Sequence, residues 1–132
     1  MAEPDGRAVP AASNTTASKI LVVEDELLLL LSLSGALQAA GFATVEASSA
    51  EDAMAMFGDE PIRLVVTDLR MPGRLDGTDL VKWLARTRPS LPVVVTTGYH
   101  ADRVALGNVP VFEKPYRISA LIDHVSQVLQ NP

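Results

Sequence analysis

Glu24, Asp25, Asp68, Thr97 and Lys114 share one context in this sequence. Glu24 and Asp25 follow the apolar run Ile20-Leu21-Val22-Val23, and Asp68 follows Leu64-Val65-Val66-Thr67. Thr97 closes Val93-Val94-Val95-Thr96, and Lys114 comes shortly after Val109-Pro110-Val111-Phe112. If those runs are strands of one sheet, three carboxylates, a hydroxyl and an ammonium converge on a single rim. Three acids in one place repel one another unless a cation joins them, which implies a hard, oxygen-loving ion. Magnesium suits the set, because it keeps several waters and takes few protein oxygens. A lysine beside it would act as a point charge for an anion arriving with the metal. A carboxylate nucleophile, a metal and an ammonium are together the parts needed to attack phosphorus.

Each residue also has a plainer reading. Asp68 precedes Leu69-Arg70-Met71-Pro72-Gly73, where an aspartate is ordinary turn chemistry. Glu24 and Asp25 could cap the helix that follows them. Lys114, before Pro115, could be a solvated loop charge, and Thr97 an exposed strand end. Taken singly these readings compete well; taken together they require four coincidences at one rim.

The elements that would position the rim alternate regularly. Continuous β-branched runs, including Ala43-Thr44-Val45, have the character of parallel strands covered on both faces. Between them the spacing predicts helices over Glu26 to Ala40, Ala50 to Phe57, Thr78 to Thr87 and Arg117 to Leu129, with a short or irregular one near Asp102 to Leu106. Gly41 stops the first helix, while Pro72-Gly73 and Pro89 punctuate loops. Five β-then-α units in series imply right-handed crossovers and an α/β, doubly wound, five-stranded parallel sheet. In such sheets ligands bind beyond the carboxyl ends of the strands, where the five residues stand.

Composition narrows the function classes. With 132 residues, 48% hydrophobic and 20% charged, the chain suits one globular domain with an aliphatic core. A net charge of −5 disfavours nucleic acid and anionic membrane surfaces as partners. The absence of cysteine excludes disulfides and thiolate metal sites and fits a cytoplasmic setting. No leader is apparent, and the longest apolar run, Leu27 to Leu31, is far below the roughly 18 residues of a membrane span. Residues 1–18 read as a flexible tail and residues 19–130 as the folded unit.

The strings Ile20-Leu21-Val22-Val23-Glu24-Asp25-Glu26 and Val65-Val66-Thr67-Asp68-Leu69-Arg70-Met71-Pro72-Gly73, with Thr97-Gly98 and Lys114-Pro115, resemble the response-regulator receiver family. The resemblance runs from about Lys19 to Leu129. It implies a flavodoxin-like (βα)5 fold in which Asp68 accepts a phosphoryl group from a phosphohistidine. It further implies Mg2+ held by Asp25 and Asp68, by Glu24 through water, and by the backbone carbonyl of Arg70. Thr97 and Lys114 would then contact the phosphoryl group, with Gly98 leaving room for it. The partners implied are a histidine kinase or histidine phosphotransfer protein and a downstream effector. Apart from its own phosphorylation and dephosphorylation, no enzyme activity is expected.

Two features depart from the family pattern. The stretch from Thr97 to Lys114 is short, so the fourth helix is expected to be short or irregular, with the response carried by the Gly98 to Gly107 loop. The switch aromatic three residues before the lysine is replaced by Val111, and Phe112 should point to the other sheet face. The Thr97-Gly98-Tyr99 step is similar to a receiver subgroup of alphaproteobacterial stress-signalling proteins and hybrid kinases. Only Asn131 and Pro132 follow the last helix, so output is expected to pass through a partner, whether the chain is stand-alone or detached from a hybrid kinase. A receiver-like binding module that is never phosphorylated is one alternative. Another is a Mg2+-dependent aspartyl phosphatase or phosphotransferase, although its usual second acid two residues on is here Arg70. A flavin binder on the same fold lacks the expected phosphate loop after Val23.

The first helix holds more leucine than one core stripe needs. Leu29, Leu33, Ala36, Leu37 and Ala40 follow helical spacing and make the predicted inner face. Leu27 and Leu31 then fall on the outer side, as a surface for a partner or for a weak homodimer. The competing reading is that leucine is simply a good helix former.

Overall fold

The computed structural model describes residues 18–98 and 106–130. The expected tail therefore lies outside the described residues except for Ser18. The same is true of most of the short helix expected near Asp102 to Leu106 and of most of the Gly98 to Gly107 loop. The strands are β1 (Lys19–Val23), β2 (Thr44–Ala47), β3 (Ile62–Asp68), β4 (Val93–Thr97) and β5 (Val111–Glu113). The described helices are α1 (Leu27–Ala39), α2 (Ala50–Met56), α3 (Gly77–Thr87) and α4 (Ile118–Gln130). All strand pairs are parallel, in the order β2-β1-β3-β4-β5, so strand order reverses between β1 and β3.

Alternation along the strands explains why their sequences are apolar throughout. On β1, Ile20 and Val22 face a core built with Leu30, Leu33 and Leu37 of α1 and Leu121 and Val125 of α4. Leu21 and Val23 face the other way, onto Ala50 and Ala53 of α2 and Leu80 and Leu84 of α3. Both layers exclude water from the central strands, and each fully buried aliphatic side chain contributes about 1.5–3 kcal/mol. On β5, Val111 joins Leu69, Val81, Val95 and Leu106, whereas Phe112 packs on the α1 and α4 side, so the two do occupy opposite faces.

The phase of α1 differs from the expected stripe. Its buried residues are Leu30, Leu33, Ser34 and Leu37; Leu29 and Ala36 are only half-buried, and Ala40 is exposed. Five consecutive leucines carry no phase information, so contacts beyond the helix decide it. The Ser34 hydroxyl lies 2.8 Å from that of Thr44 on β2, and the Gln38 amide also donates to Thr44 Oγ1 at 2.8 Å. These bonds turn Ser34 inward and bring Leu30 beneath it. Leu27 and Leu31 are exposed, as the spacing predicts, and Leu28 joins them.

Candidate functional site

Strand ends and one close helix contact build the site. β1 and β3 run side by side, with Val23 opposite Thr67, so Glu24 and Asp68 emerge next to each other. Asp68 is in register with Thr96, and Thr97 with Glu113, which carries Thr97 and Lys114 to the same rim. Helix α3 approaches from below Asp68. Its first residue, Gly77, donates its N–H to the Leu69 carbonyl at 2.9 Å, and a Cβ there would lie 1.9 Å from the Asp68 carbonyl oxygen. Only glycine allows this approach. Asp76 caps the same helix in a capping box with Asp79, fixing the helix start against the site.

Glu24 and Asp68 are buried, with 3% and 5% exposure, while Asp25 is exposed. One carboxylate oxygen from each lies within 4.8 Å of the others. Lys114 Nζ donates to Asp68 Oδ2 at 3.3 Å and to Glu24 Oε1 at 3.4 Å. Glu24 Oε2 accepts the Glu26 N–H at 3.0 Å, and Asp68 Oδ1 accepts the Arg70 N–H at 3.4 Å. Burial pushes the Glu24 carboxyl above its ordinary range; Asp68 adds to this, while the Glu26 N–H and Lys114 oppose it. For Lys114, burial alone would lower the pKa, but the negative charges of Asp68 and Glu24 outweigh it and raise it. Beside them, burial raises the pKa of the Tyr116 hydroxyl as well, and that hydroxyl has no hydrogen-bond partner among the described residues.

These residues fit a magnesium ion. One ammonium faces three carboxylates, so negative charge remains in excess where oxygens already cluster. Ligands sharing magnesium sit about 3–4 Å apart, a modest contraction from what is seen. The plainer readings fare unevenly. Thr97 is fully buried rather than an exposed strand end, and Lys114 is ion-paired rather than a solvated loop charge. Glu24 does hold a turn N–H, so for that residue a local structural role coexists with the cluster. A cavity of about 370 Å3 opens between Asp68, Arg70, Gly98 and Lys114. Among the described residues, a Cβ on Gly98 would meet only Lys114 Cδ, at 3.9 Å.

Two supporting residues escape the sequence reading. Gly77 is one; the Asp76-to-Asp79 spacing, typical of a helix start, would have pointed to it. The other is Glu51 on α2, whose Oε2 accepts the Arg74 N–H at 3.1 Å. Gly73, with φ +116°, passes so close that a Cβ would lie 3.0 Å from Glu51 Oε1. Glu51 thus ties down the loop that leaves Asp68, a contact between distant segments that no local pattern announces.

Comparison with known proteins identifies the family and its fold. A profile of the response regulator receiver domain matches residues 20–126. The response regulator protein FleR of Pseudomonas aeruginosa is 34% identical over 84% of this chain and 24% of its own length. The transcriptional regulatory protein FixJ of Bradyrhizobium diazoefficiens is 31% identical over 83% of this chain and 57% of its own length. The chain therefore spans about a quarter to a little over half of these relatives. A response regulator receiver protein from Sinorhizobium medicae superposes with a TM-score of 0.80 at 33% identity, covering 87% of this chain and 96% of that one. The receiver domain of NtrX from Brucella abortus gives 0.77 at 32% identity, over 86% and 100%. The acidic rim lies on a fold and a sequence shared with these proteins, and the chain belongs to the response-regulator receiver domain family.

Proposed function

We propose that this chain accepts a phosphoryl group from a phosphohistidine onto Asp68, with magnesium, and signals through a partner protein. The observation that carries the proposal is the buried Asp68 carboxylate, held 3.3 Å from Lys114 Nζ inside a three-carboxylate cluster beside an open cavity. Asp25 and Asp68 would hold the ion directly, Glu24 through water, and the Arg70 carbonyl would complete the protein ligands. When bound, magnesium supplies positive charge to the phosphoryl oxygens. An Asp68 oxygen attacks phosphorus as the phosphorus–nitrogen bond to the donor imidazole breaks; the donor ring, protonated beforehand on its other nitrogen, leaves as neutral imidazole. Lys114 exchanges its carboxylate contacts for the incoming phosphoryl oxygens, and the Thr97 hydroxyl donates to another. Hydrolysis of the aspartyl phosphate returns the resting state, so the chain acts catalytically on itself alone.

The donor is a histidine kinase or a histidine phosphotransfer protein, and the receiver of the signal is an effector protein, all in the cytoplasm. The Leu27 and Leu31 face of α1 is the contact surface for a protein partner. Among the described residues, no helix is long and apolar enough to cross a membrane. The test is intact mass after incubation with magnesium and acetyl phosphate. Wild type should gain one phosphoryl group and Asp68→Asn none, because an amide is no nucleophile and carries one charge less. Equal labelling of both proteins would overturn the assignment.

A further inference from the structure

Two apolar features of the described residues face solvent and take no part in the acidic cluster. One is a ridge on α1, where Leu27, Leu28 and Leu31 are 63%, 76% and 49% exposed. The other is a groove of about 380 Å3 at the opposite end of the sheet, where strands begin. It runs from Ala85 on α3, past Pro92 and Val109 at the starts of β4 and β5, to Val128 on α4. Its volume is within the range of apolar sites that take up side chains or ligands.

Charge says what fits the groove. The ridge follows directly on Glu26, which is exposed, and α1 itself carries no charged residue. The groove is flanked by Lys82 and Arg88, the latter held by stacking over Phe57 at 4.5 Å. Apolar surface therefore matches apolar surface, and an acidic flank matches a basic one. Ridge against ridge would instead bring the Glu26 carboxylates of both copies together, which is electrostatically unfavourable. Ridge and groove lie at opposite ends of the sheet, so the ridge of a chain cannot fill its own groove.

We propose that the groove is occupied by a second copy of this chain: the α1 ridge of one copy seats in the groove of the next, with Glu26 beside Lys82 and Arg88. The inference deepens the reading of α1 as a contact surface and rests on it. Such a contact is heterologous, so it extends head to tail instead of stopping at a symmetric pair. Three leucines form a small interface, and the association is weak and concentration-dependent.

Sedimentation velocity from micromolar to millimolar protein tests the proposal. Wild type should pass beyond the mass of a dimer as concentration rises. Leu28→Lys spoils the ridge and Ala85→Glu fills the groove with negative charge; both positions are exposed, and circular dichroism checks that each variant folds. Each alone should remain monomeric, whereas their equimolar mixture should form dimers and nothing larger, because one intact ridge meets one intact groove. Lys82→Glu, a second groove variant at an exposed position, should weaken assembly about tenfold or more by placing like charges together. A wild type that stays monomeric at millimolar concentration overturns the proposal, as does a mixture that fails to pair. If Ala85→Glu assembles like wild type while Leu28→Lys does not, ridge meets ridge and only the groove assignment is wrong. If Leu28→Lys assembles like wild type, the ridge is not the contact surface and the reading of α1 fails with it.

Discussion

Helices α1 and α3 pack on opposite faces of the same sheet, yet they are specified in different ways. Helix α3 starts at a capping box, seats Gly77 against the Asp68 backbone, and buries Gly77, Leu80, Val81 and Leu84 at helical spacing. Its outward positions, such as Lys82 and Arg86, are charged. Helix α1 has no charged residue, an N-cap residue, Glu26, whose own side chain makes no capping hydrogen bond, and more leucine than the sheet covers. The contrast separates two tasks. A helix that must hold the backbone under a buried carboxylate is fixed by local chemistry at its first turn. A helix whose outer face stays apolar has surface to spare, which an interaction can use.

The largest effect that would sharpen this contrast is expected at the first residue of α3. Gly77→Ala places a methyl group against the Asp68 carbonyl, where neither backbone can yield, and should cost about 4 kcal/mol or more. Urea unfolding measures it; a loss below about 1 kcal/mol would mean that α3 can slide away from Asp68. On α1 the inner and outer leucines should differ sharply. Leu37→Ala, at a fully buried position, should cost about 2–5 kcal/mol, while Leu28→Ala should remain within about 0.5. Similar losses at both sites would show that the ridge is part of the core. Removing the capping box with Asp76→Ala should cost about 1 kcal/mol, within the usual range for a lost cap.

The smallest effect is electrostatic. Because burial and then Asp68 raise the Glu24 carboxyl above its ordinary value of 4.5, the folded chain holds that proton more tightly than the unfolded chain. Without metal, this contribution is fully present below pH 4.5 and is lost as pH rises through the folded value. Glu24→Gln should remove that downward slope from the metal-free protein, visible as a flatter stability profile just above the carboxylate range. Added magnesium should favour the ionised form and reverse the trend in wild type. An unchanged slope in Glu24→Gln would assign it to other groups.

Some of this molecule is written in residue types and spacing alone. The apolar runs with an acid, a hydroxyl or an ammonium just beyond them specify five parallel strands and place the chemistry at their carboxyl ends. Parallel strands covered on both faces must be apolar throughout, so polar residues stand out where the strands stop. The opposite facing of Val111 and Phe112 follows from the two-residue period of a strand and is seen in the packing. Tertiary contacts decided the rest. The phase of α1 was set by Ser34 and Gln38 meeting Thr44, because a run of leucines is equally apolar on every side. Glu51 acts on the loop after Asp68 across a long stretch of chain, and Gly77 matters through a backbone it touches only in the folded state. Spacing conveys the period of an element; which of its faces turns inward, and what it meets there, depends on neighbours brought together by folding.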